Sequence, residues 1–251
     1  MKVGTIAPAI IILLISQVVL FACKKTETTG IKTLQGSPEA HQQAIMKKSF
    51  EESKKVLAAK VNNEPITMFS LLREMNAIAP QYVASGKQRT PEIDAKIRKD
   101  ALNTLIILEL AVQEARKCGL KVRPELIDST IKKIQTDAKS MDAYQNDLVQ
   151  QGMSEDELRR SIEQDKLFEL IAAQEIDAKV KVSDQELRTH YAKEKAGLKD
   201  VAHGQMTFEQ AKGMLERKAR AEAAEKRMRE WEKELRKTAR IEIIEQKKGK
   251  W

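Results

Sequence analysis

The sequence predicts a mainly α protein: a multi-helix module with a small β ribbon formed by an N-terminal and a C-terminal strand. Three observations carry this. The stretch from Thr90 to Gly119 keeps a helical period throughout. Helix-start signatures recur at Ser154, Ser183 and Thr207. No proline follows Pro124, so nothing interrupts a helix in the second half of the chain.

The 90–119 stretch is the central element. Ile93, Ile97, Ala101, Leu105, Leu108, Val112 and Ala115 recur three or four residues apart and share one helical face. Leu105-Ile106-Ile107-Leu108 is apolar all round, which requires burial on several sides. Thr90 suits the cap, Pro91 the first helical position and Gly119 a left-handed stop. A buried strand over 105–108 is the alternative; length and capping favour the helix.

The 251 residues are enough for one or two domains with a sizeable core. Aromatics make up 4% and charged residues 33%, which fits helices with long solvated faces. The net charge of +8 is spread among acids, and no aromatic-basic platform accompanies it. Nucleic acid is therefore not expected as a partner. Anionic membrane surfaces and acidic unfolded chains stay open. Two cysteines, Cys23 and Cys118, and three scattered histidines offer no metal-ligand spacing, so no metal and no cofactor are expected.

Residues 1–22 read as an export signal: one cation, Lys2, then an apolar run from Ile6 to Ala22. The run is short for a membrane span. It ends Leu20-Phe21-Ala22-Cys23, which resembles a bacterial lipobox, with Phe21 departing from the usual small residue. Cys23 is then the expected lipidation site, palmitate included, and an uncleaved signal anchor is the alternative. Residues 23–55 form a lipidated N-terminus and tether, with a lead-in helix over 41–55. Lys24 is not the aspartate associated with inner-membrane retention, which leans toward the outer membrane. The protein is expected in the cell envelope, facing the periplasm or the exterior.

The folded domain is expected over 56–251. A strand at 56–61, an Asn62-Asn63 turn and an extended 64–67 come first. Thr67 caps a helix carrying Phe69, Leu72, Met75 and Ile78, which Pro80 ends. After the central helix, Pro124 opens a helix with Ile127, Ile131, Ile134 and Ala138 on one side. A short helix with Tyr144 and Leu148 stops at Gly152. Capping boxes at Ser154–Glu157 and Ser183–Glu186 start helices to about Ala178 and Lys195, with Met153–Leu158 and Val182–Leu187 as staples. Residues 196–205 read as a loop. Thr207 to Gln210 opens a long helix over 207–238 that packs back on the module, with Met214, Ala221, Met228 and Leu235 as its seven-residue face and Trp231 adjoining. Ile241, Ile243 and Ile244 form a last strand whose natural partner is 56–61. That pairing would make 56–245 one unit.

The order of these elements, with Gly119-Leu120-Lys121-Val122, Val182-Ser183-Asp184-Gln185-Glu186-Leu187-Arg188, Tyr191, and Trp231 to Ile243, resembles the chaperone module of SurA/PrsA-type exported folding factors (the SurA N-terminal domain family). The resemblance implies a helical module that holds unfolded exported polypeptides. In that family the Val-Ser-Asp helix is usually followed by a parvulin prolyl-isomerase domain. Here only residues 196–205 join it to the next helix, too few for a folded domain. No catalytic residue carries over.

No nucleophile elbow, zinc-protease or Walker motif occurs. Carboxylates such as Glu155 and Asp184 are explained by helix N-termini. Binding is the better reading than catalysis: nine methionines supply flexible, polarizable contact surface. The expected peptide groove lies between the 68–79, 141–151 and long C-terminal helices. It would use Met68, Phe69, Met75, Tyr82, Met141, Tyr144, Met228 and Trp231, although for each methionine taken singly an ordinary core position is the favoured reading. The expected function is a membrane-tethered, ATP-independent chaperone. A prolyl isomerase by family association and an adaptor lipoprotein with one dedicated partner are the alternatives.

Overall fold

The computed structural model of the chain describes residues 38–82, 89–200 and 204–244. The signal and lipidation readings, Cys23 among them, fall outside the described residues. Eight α-helices and two small antiparallel sheets are present among the described residues, so the chain is mainly α with a β ribbon. Helix α1 spans Pro38–Lys55. Strands β1 (Leu57–Val61) and β2 (Glu64–Thr67) follow. Helices α2 (Met68–Tyr82), α3 (Pro91–Lys117), α4 (Pro124–Asp137), α5 (Met141–Gln150) and α6 (Glu155–Ala172) come next. A π-turn at Ala173–Asp177 ends α6. Then come α7 (Asp184–Glu194), a ribbon of β3 (Lys199–Asp200) and β4 (Gly204–Gln205), α8 (Phe208–Lys237) and β5 (Ile241–Ile243).

The strand pairing predicted between the two ends is present. In the order β2-β1-β5, Ala59 faces Ile243, Lys60 faces Glu242 and Val61 faces Ile241, all antiparallel. The β1–β2 hairpin turns at Asn62 and Asn63, both left-handed at φ 52 and 76, as a tight hairpin of this type demands. Pro65 sits on the outer strand, where a missing N–H costs no ladder bond.

One unit is expected from that pairing, yet the described residues fall into two compact units. The first described here comprises α1 to residue 168 of α6, with β5; the second comprises Glu169 to Lys237. The β1–β5 ladder closes the first unit alone. The chain passes between units inside α6 and again after α8.

Within the first unit, α3 behaves as the central helix. The Thr90 side chain accepts from the Ile93 N–H, and Gly119 stops the chain at φ 73. The buried stripe is Ile97, Ala101, Leu102, Ile106, Ile107, Leu110, Ala111, Val112 and Ala115. Leu105 and Leu108 lie at its half-buried margin instead. Burying such side chains contributes roughly 1.5–3 kcal/mol each before entropy is set against it. A second cluster gathers Phe69, Ile127, Ile131, Tyr144, Leu148, Met153, Leu158 and Ile162, with Phe50 packed against it. Pro80 does not end α2, which continues to Tyr82; proline in the last turn forfeits one bond without closing the helix.

Within the second unit, Leu187, Leu198, Ala211, Leu215 and Ala219 form the core, flanked by Tyr191 and Phe208. The Tyr191 hydroxyl donates to the Met206 carbonyl at 2.7 Å, which pins the ribbon that replaces the expected loop. The seven-residue face predicted for α8 is corrected here. Met214 and Ala221 are exposed, and the buried positions are Ala211, Leu215 and Ala219, then Met228 and Trp231. A spacing of four packs against a short neighbouring helix; a sustained seven-residue seam would need a partner of equal length.

Candidate functional site

The eight expected binding residues divide by unit. Met68, Phe69, Met75, Tyr82, Met141 and Tyr144 lie in the first; Met228 and Trp231 lie in the second.

Strand β2 leads directly into α2, where the Thr67 hydroxyl accepts from the Ser70 N–H and fixes the first turn. That turn drives Met68 and Phe69 inward. Met68 is buried, with an Arg98 guanidinium 3.9 Å from its sulfur. The Phe69 ring meets Phe50 edge-on, with centroids 5.8 Å apart. Lys54 Nζ lies 5.0 Å from the Phe69 centroid, a cation–π distance. Met75 is half-buried on the same helix. At the helix end, the Tyr82 hydroxyl donates to Asp100 at 2.7 Å and Lys96 lies 5.1 Å from its ring centroid. Burial, and then the Asp100 carboxylate, hold the Tyr82 phenol well above its ordinary range.

The Ser140 side chain caps α5 by accepting from Ala143 N–H. Its inner side carries Tyr144, 1% exposed, and Leu148. Its outer side carries Met141 and Val149, 56% and 55% exposed. Eight residues apart, these two lie within about 80° of each other around the helix axis. Five of the eight expected residues, Met68, Phe69, Tyr144, Met228 and Trp231, are thus buried packing residues in this conformation, and Met141 alone is openly exposed.

The exposed apolar side chains that sequence reasoning did not single out as contact residues include Leu72, Leu126, Val149 and Leu170. Leu126 precedes the Ile127 stripe and Val149 follows Leu148, so each sits one residue off a buried face. An apolar residue displaced from its own helix's stripe was the available signal.

Electrostatics bind the elements rather than activating a group. Glu157 accepts from Ser154 N–H at 2.7 Å and pairs with Lys54 at 2.9 Å. Burial pushes the Glu157 carboxyl up, but Ser154 and Lys54 outweigh it and leave it below the usual range. In the second unit, Arg227 donates to the Glu175 carbonyl and carboxylate, both at 2.9 Å, and also pairs with Glu234. Among the described residues no group of three or more His, Cys, Asp or Glu could hold a metal ion, and no helix is long and apolar enough to cross a membrane.

Comparison with known proteins places these elements. The family described as the SurA-like N-terminal domain matches residues 4–172. Chaperone SurA of Burkholderia pseudomallei (strain 1710b) is 26% identical over 160 residues, covering 63% of this chain and 35% of that protein. Chaperone SurA of Cupriavidus metallidurans is 28% identical over 190 residues, covering 68% and 37%. The chain thus spans about a third of the length of the curated relatives it matches. A solved structure described as that of SurA-like chaperones in Campylobacter jejuni aligns at TM-score 0.48 and 14% identity, over 76% of this chain and 99% of that one. Because that family match spans residues 4–172, more than half of the 251 residues, the chain belongs to the SurA-like N-terminal domain family.

Proposed function

We propose that this protein is a membrane-tethered, ATP-independent chaperone that binds unfolded exported polypeptides. The observation that carries the reading is the family match over residues 4–172, whose matched relatives are named as chaperones. The surface chemistry agrees with it. Met141, Val149, Leu72 and Leu126 present apolar side chains on a charged protein, the kind of contact that tolerates many sequences.

In this reading Met141 takes clients directly, and half-buried Met75 and Tyr82 contribute their exposed edges. Met68, Phe69 and Tyr144 support this surface of the first unit and join it only on local opening, while Met228 and Trp231 would serve clients within the second unit in the same way. The anchor is lipid on Cys23 after removal of residues 1–22, and the outer membrane is the proposed location. The connection from α7 to α8 is the short β3–β4 ribbon, and no catalytic residue is assigned.

The deciding experiment is the aggregation of a chemically unfolded outer-membrane protein diluted into buffer. Suppression at a few-fold molar excess, without ATP, is the expected result. Absence of suppression at every ratio would sink the reading. A proline-limited refolding assay on the same preparation should show no acceleration. The mass of the protein extracted from membranes reports cleavage and acylation together.

A further inference from the structure

Helix α1 is joined to the first unit through a small contact at its C-terminal end. Residues His41 to Ser49 are exposed, Ile45 and Met46 included. Phe50 packs against the cluster that contains Phe69, Met153 and Leu158. Its ring lies so close to Gly152 that a Cβ there would fall 2.5 Å from it. Four residues on, Lys54 pairs with Glu157 and sits over the Phe69 ring.

The polar groups of this contact each keep an internal partner. Ser53, on the buried side of α1, donates to the Phe50 carbonyl of its own helix at 2.7 Å. Lys54 also pairs with Glu51 of its own helix. Glu157 keeps its bond to the Ser154 N–H. Lifting α1 away therefore strands no buried donor or acceptor, which is the usual obstacle to separating packed elements. What it uncovers is the Phe69 face, the Gly152 backbone and the Glu157 carboxylate.

We infer that the surface beneath α1 is a helix-docking groove, that α1 is its resident occupant, and that it accepts from another polypeptide an amphipathic helix carrying an aromatic residue and a lysine four positions later. The aromatic ring fills the space a side chain at Gly152 would take, and the ammonium group meets Glu157. Covalent linkage gives α1 a high effective concentration, so a helix in trans binds weakly until α1 is weakened. The groove deepens the chaperone reading, on which it rests for its client.

The test is fluorescence anisotropy with a labelled synthetic peptide of residues 41–55 against the full chain. Phe50→Ala, folded by circular dichroism, should bind the peptide at least about tenfold tighter than the unaltered protein, because the resident competitor is gone. A peptide with alanine at position 50 should not bind. Lys54→Ala, which leaves the apolar contact in place, should show a smaller gain in affinity for the unaltered peptide. Glu157→Gln keeps the helix cap and, added to Phe50→Ala, should lower peptide affinity several-fold. Equal affinity of folded Phe50→Ala, Lys54→Ala and unaltered protein overturns the groove. So does a wild-type dimer that gains peptide binding only on dilution, since the occupant is then a second copy. Aggregation suppression measured on the same samples separates the two readings: suppression without peptide binding removes the groove alone, and peptide binding without suppression removes the chaperone alone.

Discussion

Asn62 and Arg240 exchange two hydrogen bonds across a sequence separation of 178. The Asn62 N–H donates to the Arg240 carbonyl at 2.8 Å, and the Asn62 Oδ1 accepts from the Arg240 N–H at 2.7 Å. The same side chain donates to Gln113 of α3 at 2.8 Å. One residue therefore holds the hairpin turn, the last strand and the central helix in register. Asn62→Gly keeps the left-handed backbone and loses the side-chain bonds, for an expected cost of about 1–2 kcal/mol in urea titration. Asn62→Ala adds strain at φ 52 and should cost about 1 kcal/mol more.

Gly152 and Gly119 are both left-handed, but only Gly152 is also crowded. A Cβ at Gly119 meets nothing within 4 Å, whereas one at Gly152 meets the Phe50 ring. Gly119→Ala should cost about 1 kcal/mol from backbone strain alone. Gly152→Ala should cost roughly 2–4 kcal/mol, strain and overpacking together. In a Phe50→Ala background the penalty at Gly152 should fall to the strain alone, which a double-mutant cycle in urea will read as coupling.

Much of this was legible because it is local. Thr90, Ser154, Ser183 and Thr207 mark helix starts through bonds spanning three residues, and each bond forms. The β1–β5 pairing was readable because β5, among the described residues, has β1 as its single strand partner and β1 keeps one edge open beyond its hairpin with β2. The buried side of α8 was not, because alanines at 211 and 219 carry little apolar signal beside exposed Met214. What decides their burial is the neighbouring α7, a tertiary fact absent from the helix's own period. The burial of Met68 and Phe69 was illegible for the same reason: their identity shows an apolar preference without saying whether protein or client satisfies it.

Glu175 should make the second unit sensitive to acid. Its carboxyl lies below the usual range, first through the hydrogen bond from Lys179 and then, against burial, through Arg227. A carboxylate depressed in the folded state stabilises it above the unfolded pKa, about 4.3, and that stabilisation is lost as pH falls through the folded value. Melting temperature should therefore drop more steeply below about pH 4 in the unaltered protein than in Glu175→Gln. Parallel profiles would show that the Lys179 and Arg227 contacts together contribute nothing.

Tyr144 places its hydroxyl in the interior with no hydrogen bond of full geometry, beside the Gln135 and Glu155 side chains. Tyr144→Phe removes a desolvated polar atom and keeps the ring, so stability should stay level or rise by up to about 1 kcal/mol. Tyr144→Ala should cost about 3–5 kcal/mol through the cavity it leaves. Thermal melts of the pair check both signs.

Met141 and Val149 offer the converse case. Because both are exposed, Met141→Ser/Val149→Ser should change stability by less than about 0.5 kcal/mol. The same double substitution should weaken aggregation suppression several-fold. Trp231→Ala should do the reverse, lowering the melting temperature first and activity only as a result.

The ribbon that joins Val61 to Ile241 also fixes a timetable. During synthesis the first strand exists long before the last is made: at ordinary elongation rates the 178 intervening positions take on the order of 10–40 s. Throughout that interval one border of β1 is bare, with three backbone positions open to any passing strand. Maturation of the first unit is therefore a terminal event, and a message cut short before codon 241 yields a chain with a permanently sticky edge.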